Sequence, residues 1–211
     1  MLGKIKNEVL VIIVTIFVFT GCNTNEEQVL TSEEVLATET NLSGTWSSGC
    51  VLESNGETTH LTLTFNGTTV TMGKTAYSDD NCTETTHYMD MNATGTVALS
   101  TTSTTLSTGE TIYNIDYSSI VATMTPKVQA TVDQWNFYST CQISTWSLNS
   151  PTIMTGCDVE SHTFSAATKY DIVGFTSDNT IKFGFVGANL TNYIESDRPT
   201  SLDHTEVFTL Q

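Results

Sequence analysis

Between Leu61 and Met72 the chain alternates apolar and polar residues with a period of two, and the alternation is broken once, at a glycine. Leu61, Leu63 and Phe65 fall on one side and Thr62 and Thr64 on the other; after Asn66-Gly67 the pattern resumes with Val70 and Met72. A period of two is that of a half-buried strand, and Asn-Gly is the strongest short-range signal for a tight reversal. The segment therefore predicts a β-hairpin. Similar runs follow at Tyr88–Leu99, Thr111–Tyr117, Ile120–Met124, Gln134–Ile143, Lys169–Phe175, Ile181–Val186 and Glu206–Leu210, with a further strand before Cys50. Turn residues punctuate them at Asn55-Gly56, Ser107-Thr108-Gly109 and Ser177-Asp178-Asn179.

Composition supports the same class. Threonine makes up roughly a fifth of the chain, while alanine, lysine and arginine are scarce, so propensity favours strands over helices. Eight to ten short antiparallel strands in one domain fit a closed barrel, with a β-sandwich as the alternative. Closure removes exposed strand edges, which Thr-rich strands with few lysines are poorly equipped to protect.

The N-terminus carries an address. Lys4 and Lys6 precede an uncharged run from Val9 to Phe19, too short to span a bilayer, which ends at Thr20-Gly21-Cys22. The segment 1–21 resembles a bacterial lipoprotein signal peptide, with Phe19 where leucine is usual. That resemblance implies cleavage before Cys22 and attachment of diacylglycerol and fatty acyl (palmitate) chains to it. The alternatives are an uncleaved anchor helix or an ordinary export signal. By the same resemblance Asn23, where inner-membrane retention uses aspartate, favours the outer membrane. Residues 22–40 are acidic, lack aromatics and read as a tether, with a short helix conceivable over 32–37; residues 41–211 form the folded domain.

Without residues 1–21 the chain has five basic against 22 acidic side chains, a formal charge of −17. Such a body is repelled by nucleic-acid phosphates and anionic headgroups, so nucleic-acid binding is disfavoured and membrane attachment falls to the lipid on Cys22.

Cys50, Cys82, Cys141 and Cys157 remain, an even number in an exported chain, and read as two disulfides. Three connectivities are possible; sequence proximity favours Cys50–Cys82 and Cys141–Cys157. Zinc is the alternative, but there is no C-x-x-C pair and the histidines are scattered.

Leu42-Ser43-Gly44-Thr45-Trp46 resembles the Gly-x-Trp first strand of lipocalin-like (calycin) barrels, and Leu61–Gly67 the hairpin that follows it in small bacterial members. Tyr170-Asp171-Ile172, Asn179-Thr180-Ile181-Lys182-Phe183 and Arg198-Pro199-Thr200-Ser201-Leu202 resemble their closing pattern. The resemblance implies an antiparallel up-and-down barrel in which Trp46 closes one end. It also implies an arginine over that tryptophan, a cation–π contact of about 0.5–2 kcal/mol, for which Arg198 is the sole arginine. Arg198 precedes the last strand rather than following it, so the alternative is a turn residue beside Pro199.

Chemistry-bearing clusters are sparse. Asp158, Glu160 and His162 alternate and would share one strand face, as a metal site or as a solvated rim. Asp79, Asp80, Glu84 and His87 around Cys82 lack the glycine and final glutamate of a calcium loop and read as a surface turn. No nucleophile elbow, zincin helix or phosphate loop occurs, though His60, His87, His162 or His204 could join a triad assembled in space. Trp135, Phe137, Tyr138 and Trp146 are the densest aromatic group; on a strand Trp135 and Phe137 share a face and line either a ligand cavity or a filled core. The reading that follows is noncatalytic binding or carriage of a small apolar ligand, with no cofactor and no metal. A structural or adhesive surface module contacting a protein or glycan is second, and an enzyme without recognisable motif third.

Overall fold

The computed structural model describes residues 42–53, 56–154, 158–159, 162–163, 167–177, 179–184 and 195–211. The lipoprotein signal, Cys22, the tether, Cys157, Glu160, Asn55 and Asp178 lie outside the described residues.

The strands follow one another as a meander. β1 (Gly44–Leu52), β2 (Thr58–Asn66), β3 (Thr69–Tyr77), β4 (His87–Thr105) and β5 (Thr111–Pro126) each pair antiparallel with the next. After β5 come a helix, α1 (Gln129–Tyr138), and three two-residue strands, β6 (Thr152–Ile153), β7 (Asp158–Val159) and β8 (His162–Thr163). The meander resumes with β9 (Lys169–Ser177) on β5, β10 (Thr180–Phe183) on β9 and β11 (Phe208–Leu210) on β10. β11 then pairs with β1, Trp46 opposite Leu210, and closes an eight-stranded antiparallel up-and-down barrel. This is the lipocalin-like barrel expected from the sequence, not the sandwich.

The alternation in β2 and β3 does what the sequence predicts. Leu61, Leu63, Phe65 and Val70 are buried in the core, and β2 returns through a two-residue loop whose first residue, Gly67, has φ +57°. That left-handed conformation suits glycine and matches the twist of a tight hairpin. Trp46 is wholly buried and donates its ring N–H to the Leu42 carbonyl at 2.7 Å. It sits near the end of the barrel formed by the start of β1, the β2–β3 turn and the β11 terminus.

The runs expected as separate strands at 111–117 and 120–124 are one strand. The ladder shifts between Thr94 and Thr96, where Ser119 adopts φ +54°. A side chain at Gly95 would approach the Ser118 carbonyl to 2.8 Å, so the glycine lets the two backbones close up at this bulge. Bulging keeps Tyr117 and Ile120, three residues apart, both buried.

The strand expected over Gln134–Ile143 is not formed. α1 covers its first half, supported by a Gln129–Asp133 side-chain bond of 2.7 Å one turn apart, and ends at Ser139 in the left-handed conformation (φ +49°). A 3-10 turn, Thr140–Gln142, follows. The buried spacing is helical: Val132 and Trp135 pack toward the core, three residues apart. Likewise Asp158 and His162 do not alternate along one strand but lie on the two strands of the β7–β8 hairpin. Among the described residues no helix is long and apolar enough to cross a membrane.

Candidate functional site

The barrel lumen becomes polar toward the end that carries the β1–β2 loop. Val70, Lys74 and Ala76 share one face of β3, and Lys74 is registered between Leu61 of β2 and Met91 of β4, so its stem runs along the apolar inner wall. Its ammonium lies 2.9 Å from Glu57 Oε2 and 3.7 Å from Glu53 Oε1, both carboxylates coming from the β1–β2 connection. Thr59 donates to Glu53 Oε1 at 2.9 Å, and the Tyr88 hydroxyl donates to Glu57 Oε1. Each acidic side chain is thereby held by a donor on the wall, as buried charges require.

Glu206 lies toward the same end of the lumen and differs from that group. Asp203 accepts from the N–H and hydroxyl of Thr205, a local turn that carries the chain into β11 and places Glu206 two residues before the fully buried Phe208. Glu206 is only 4% exposed, and among the described residues its Oε2 has no hydrogen-bond partner. Burial, with repulsion from Glu53 and Asp203 outweighing attraction from Lys74, pushes its carboxyl up to about 7.

A second polar group lines β9. Lys169 faces Tyr117 and Asp171 faces Ile115 in the ladder, and all four are buried. Burial draws the Lys169 ammonium down to about 8, while burial and then the Asp171 charge push the Tyr117 phenol well up.

The sequence-derived residues fall as follows. Trp46 is wholly buried on β1, opposite Leu210 of β11. Arg198 does not cover it. Its Nη1 donates to the carbonyls of Asp171 (2.6 Å) and Ile115 (3.3 Å), its Nη2 to Asp116 Oδ1 (2.7 Å), and its guanidinium lies 5.1 Å from the centre of the Tyr170 ring. Asp116 and Tyr170 are ladder partners on the face opposite Tyr117 and Asp171, hence on the outside of the wall, whereas Trp46 is inside. There Arg198 latches the 195–203 segment, where Leu202 packs on Ile112 and Ile172.

Trp135 and Phe137 do not line the lumen from one strand face. On α1 two residues span about 200°, so the two side chains diverge. Trp135 packs edge-on against Trp146 at 4.6 Å, while Phe137 is 80% exposed and pairs with Tyr138. The Asn136 side chain clasps Trp146, donating to its carbonyl (3.0 Å) and accepting from its N–H (2.7 Å). Cys50 and Cys82 form a disulfide as expected; Cys141 is disulfide-bonded as well.

Ser47 Oγ lies 2.6 Å from His60 Nε2, but among the described residues no carboxylate engages the other ring nitrogen, and the Ser47 oxygen already accepts from the Gly49 N–H. His87 Nε2 lies 2.7 Å from Asp90 Oδ1, and His204 lies 3.6 Å from Glu110 Oε1 and 2.9 Å from the Lys182 ammonium. Among the described residues no three His, Cys, Asp or Glu side chains converge as metal ligands. Sequence reasoning missed Lys74 and Glu206; the signal available was a lysine at a core position of the β3 alternation and a glutamate in phase with Phe208.

No protein-family model and no curated protein matches the chain.

Proposed function

We propose that this chain is a lipid-anchored protein of the bacterial cell envelope, sorted to the outer membrane through Cys22, whose barrel binds or carries a small, largely apolar ligand. The observation that carries the reading is Glu206: a buried carboxyl with an unpartnered oxygen in an apolar barrel is costly to the fold, and a bound molecule supplies its missing partner. The apolar wall around it, with Leu61, Leu63, Met72, Met91 and Phe208, suits the body of such a ligand. The lipid on Cys22 supplies attachment that the acidic body does not.

A structural or adhesive module is the second reading, favoured by the exposed Phe137–Tyr138 pair on the clasped helix. Native mass spectrometry of the protein purified from its own host in detergent tests both. A small-molecule adduct beyond the lipid mass, lost on partial unfolding, is the expected result. A barrel that is always released empty, with attachment abolished by Phe137→Ala and Tyr138→Ala, refutes carriage. Cys22→Ser is expected to release the protein or leave it as uncleaved precursor; unchanged membrane partitioning with normal cleavage refutes the anchor.

A further inference from the structure

We infer that the polar end of the ligand is a cationic amine, held by Glu206 and the Glu53–Glu57–Lys74 group at the β1–β2 end of the lumen. The inference rests on the carriage reading and adds the chemistry of the head group.

Lys74 pairs with Glu57 and Glu53, and Glu206, buried toward the same end, feels the charges of Glu53 and Lys74, so with Glu206 ionised three formal negative charges stand against one positive. The donors on the wall are committed: Lys74 to Glu57 and Glu53, Thr59 to Glu53, Tyr88 to Glu57. Asp203, also close enough to act on Glu206, spends its Oδ1 on Thr205. What is left over is acceptor capacity, at the Glu206 Oε2 that no donor among the described residues reaches. An anionic head group would add to the excess charge. A hydroxyl would satisfy the oxygen but leave the charge. An ammonium answers both, in a low-dielectric site where charge-assisted hydrogen bonds are strong. A metal ion is a poorer fit, since no three ligands converge among the described residues.

The charged groups that act on Glu206 are Glu53 on the β1–β2 connection, Lys74 on β3 and Asp203 on its own segment. With the carboxyl near 7, an amine selects its ionised form.

The test is calorimetric titration of the full chain in detergent with three small probes that share a phenyl body: 2-phenylethylamine, 2-phenylethanol and 3-phenylpropanoate. At pH 8 the amine is expected to bind at least tenfold more tightly than the alcohol, and the acid most weakly. Glu206→Gln is expected to bring the amine down to the level of the alcohol. Lowering the pH to 5.5, where about 3% of a group titrating near 7 is ionised, is expected to weaken amine binding in wild type by about thirtyfold. That measurement needs no variant. Alcohol or acid binding as tight as the amine, or an amine affinity indifferent to pH and to Glu206→Gln, overturns the head-group inference and leaves carriage standing. No binding of any probe overturns both.

Discussion

Glu206→Gln is expected to make the protein more stable at pH 8 and to lose that advantage in acid. The wild-type carboxyl moves from an ordinary 4.5 to about 7 on folding. Between those values the folded protein holds a proton that the unfolded chain has released, so stability falls as pH rises through the window. Above pH 7 both states are ionised and the fold carries the full cost; below pH 4.5 both are protonated and it carries none. At about 1.36 kcal/mol per pH unit the cost is about 3 kcal/mol. Glutamine keeps the shape and removes the charge, but its amide still lacks partners, which returns about 1 kcal/mol. The net gain at pH 8 is about 2 kcal/mol, or about 4–8 °C in Tm for a body of this size. Thermal and urea unfolding of both proteins, without ligand, at pH 8 and pH 4.5 would measure it. A glutamine variant less stable at pH 8, or a difference that does not change with pH, would refute the placement of an unpaired carboxyl in the core.

Three further outcomes follow from the packing. Trp46→Ala removes a wholly buried indole and orphans the Leu42 carbonyl, and is expected to cost ~3–5 kcal/mol by denaturant unfolding; a loss under about 1 kcal/mol would mean the closed end does not depend on it. Arg198→Ala strips donors from two wall carbonyls and is expected to cost about 1–3 kcal/mol, with little of that from the partly solvated Asp116 pair; Asp116→Asn should therefore be much milder, and equal losses would contradict this. Non-reducing peptide mapping should recover Cys50 with Cys82 and Cys141 with Cys157. Opening the first bridge by Cys50→Ala with Cys82→Ala should cost about 3–4 kcal/mol for its 32-residue separation, and no measurable change would show that the unfolded chain is not constrained there.

Much of the barrel was legible because a strand records its environment locally. Leu61, Leu63, Phe65 and Val70 announce their face in the sequence, and Gly67 announces the turn. Cys50 and Cys82 were paired correctly from their proximity in the chain. The segment around Trp135 was misread because aromatics two apart imitate a strand, while the helical pair Val132 and Trp135 sits among residues with little periodicity. Arg198 was misassigned because its partners, Asp116 and Tyr170, lie far away in the chain and become neighbours only when β5 and β9 pair.

By itself, then, the sequence determined the period, the turns, the acidic charge and the strand-rich class, all properties of residues a few positions apart. Only the tertiary structure decided that the meander closes through β11 on β1, that Arg198 lies outside the wall and Trp46 inside it, and that Glu206 is buried within the field of Glu53 and Lys74. Burial of a charge depends on which distant segments enclose it, and a local pattern does not encode the company a side chain keeps once the barrel has closed.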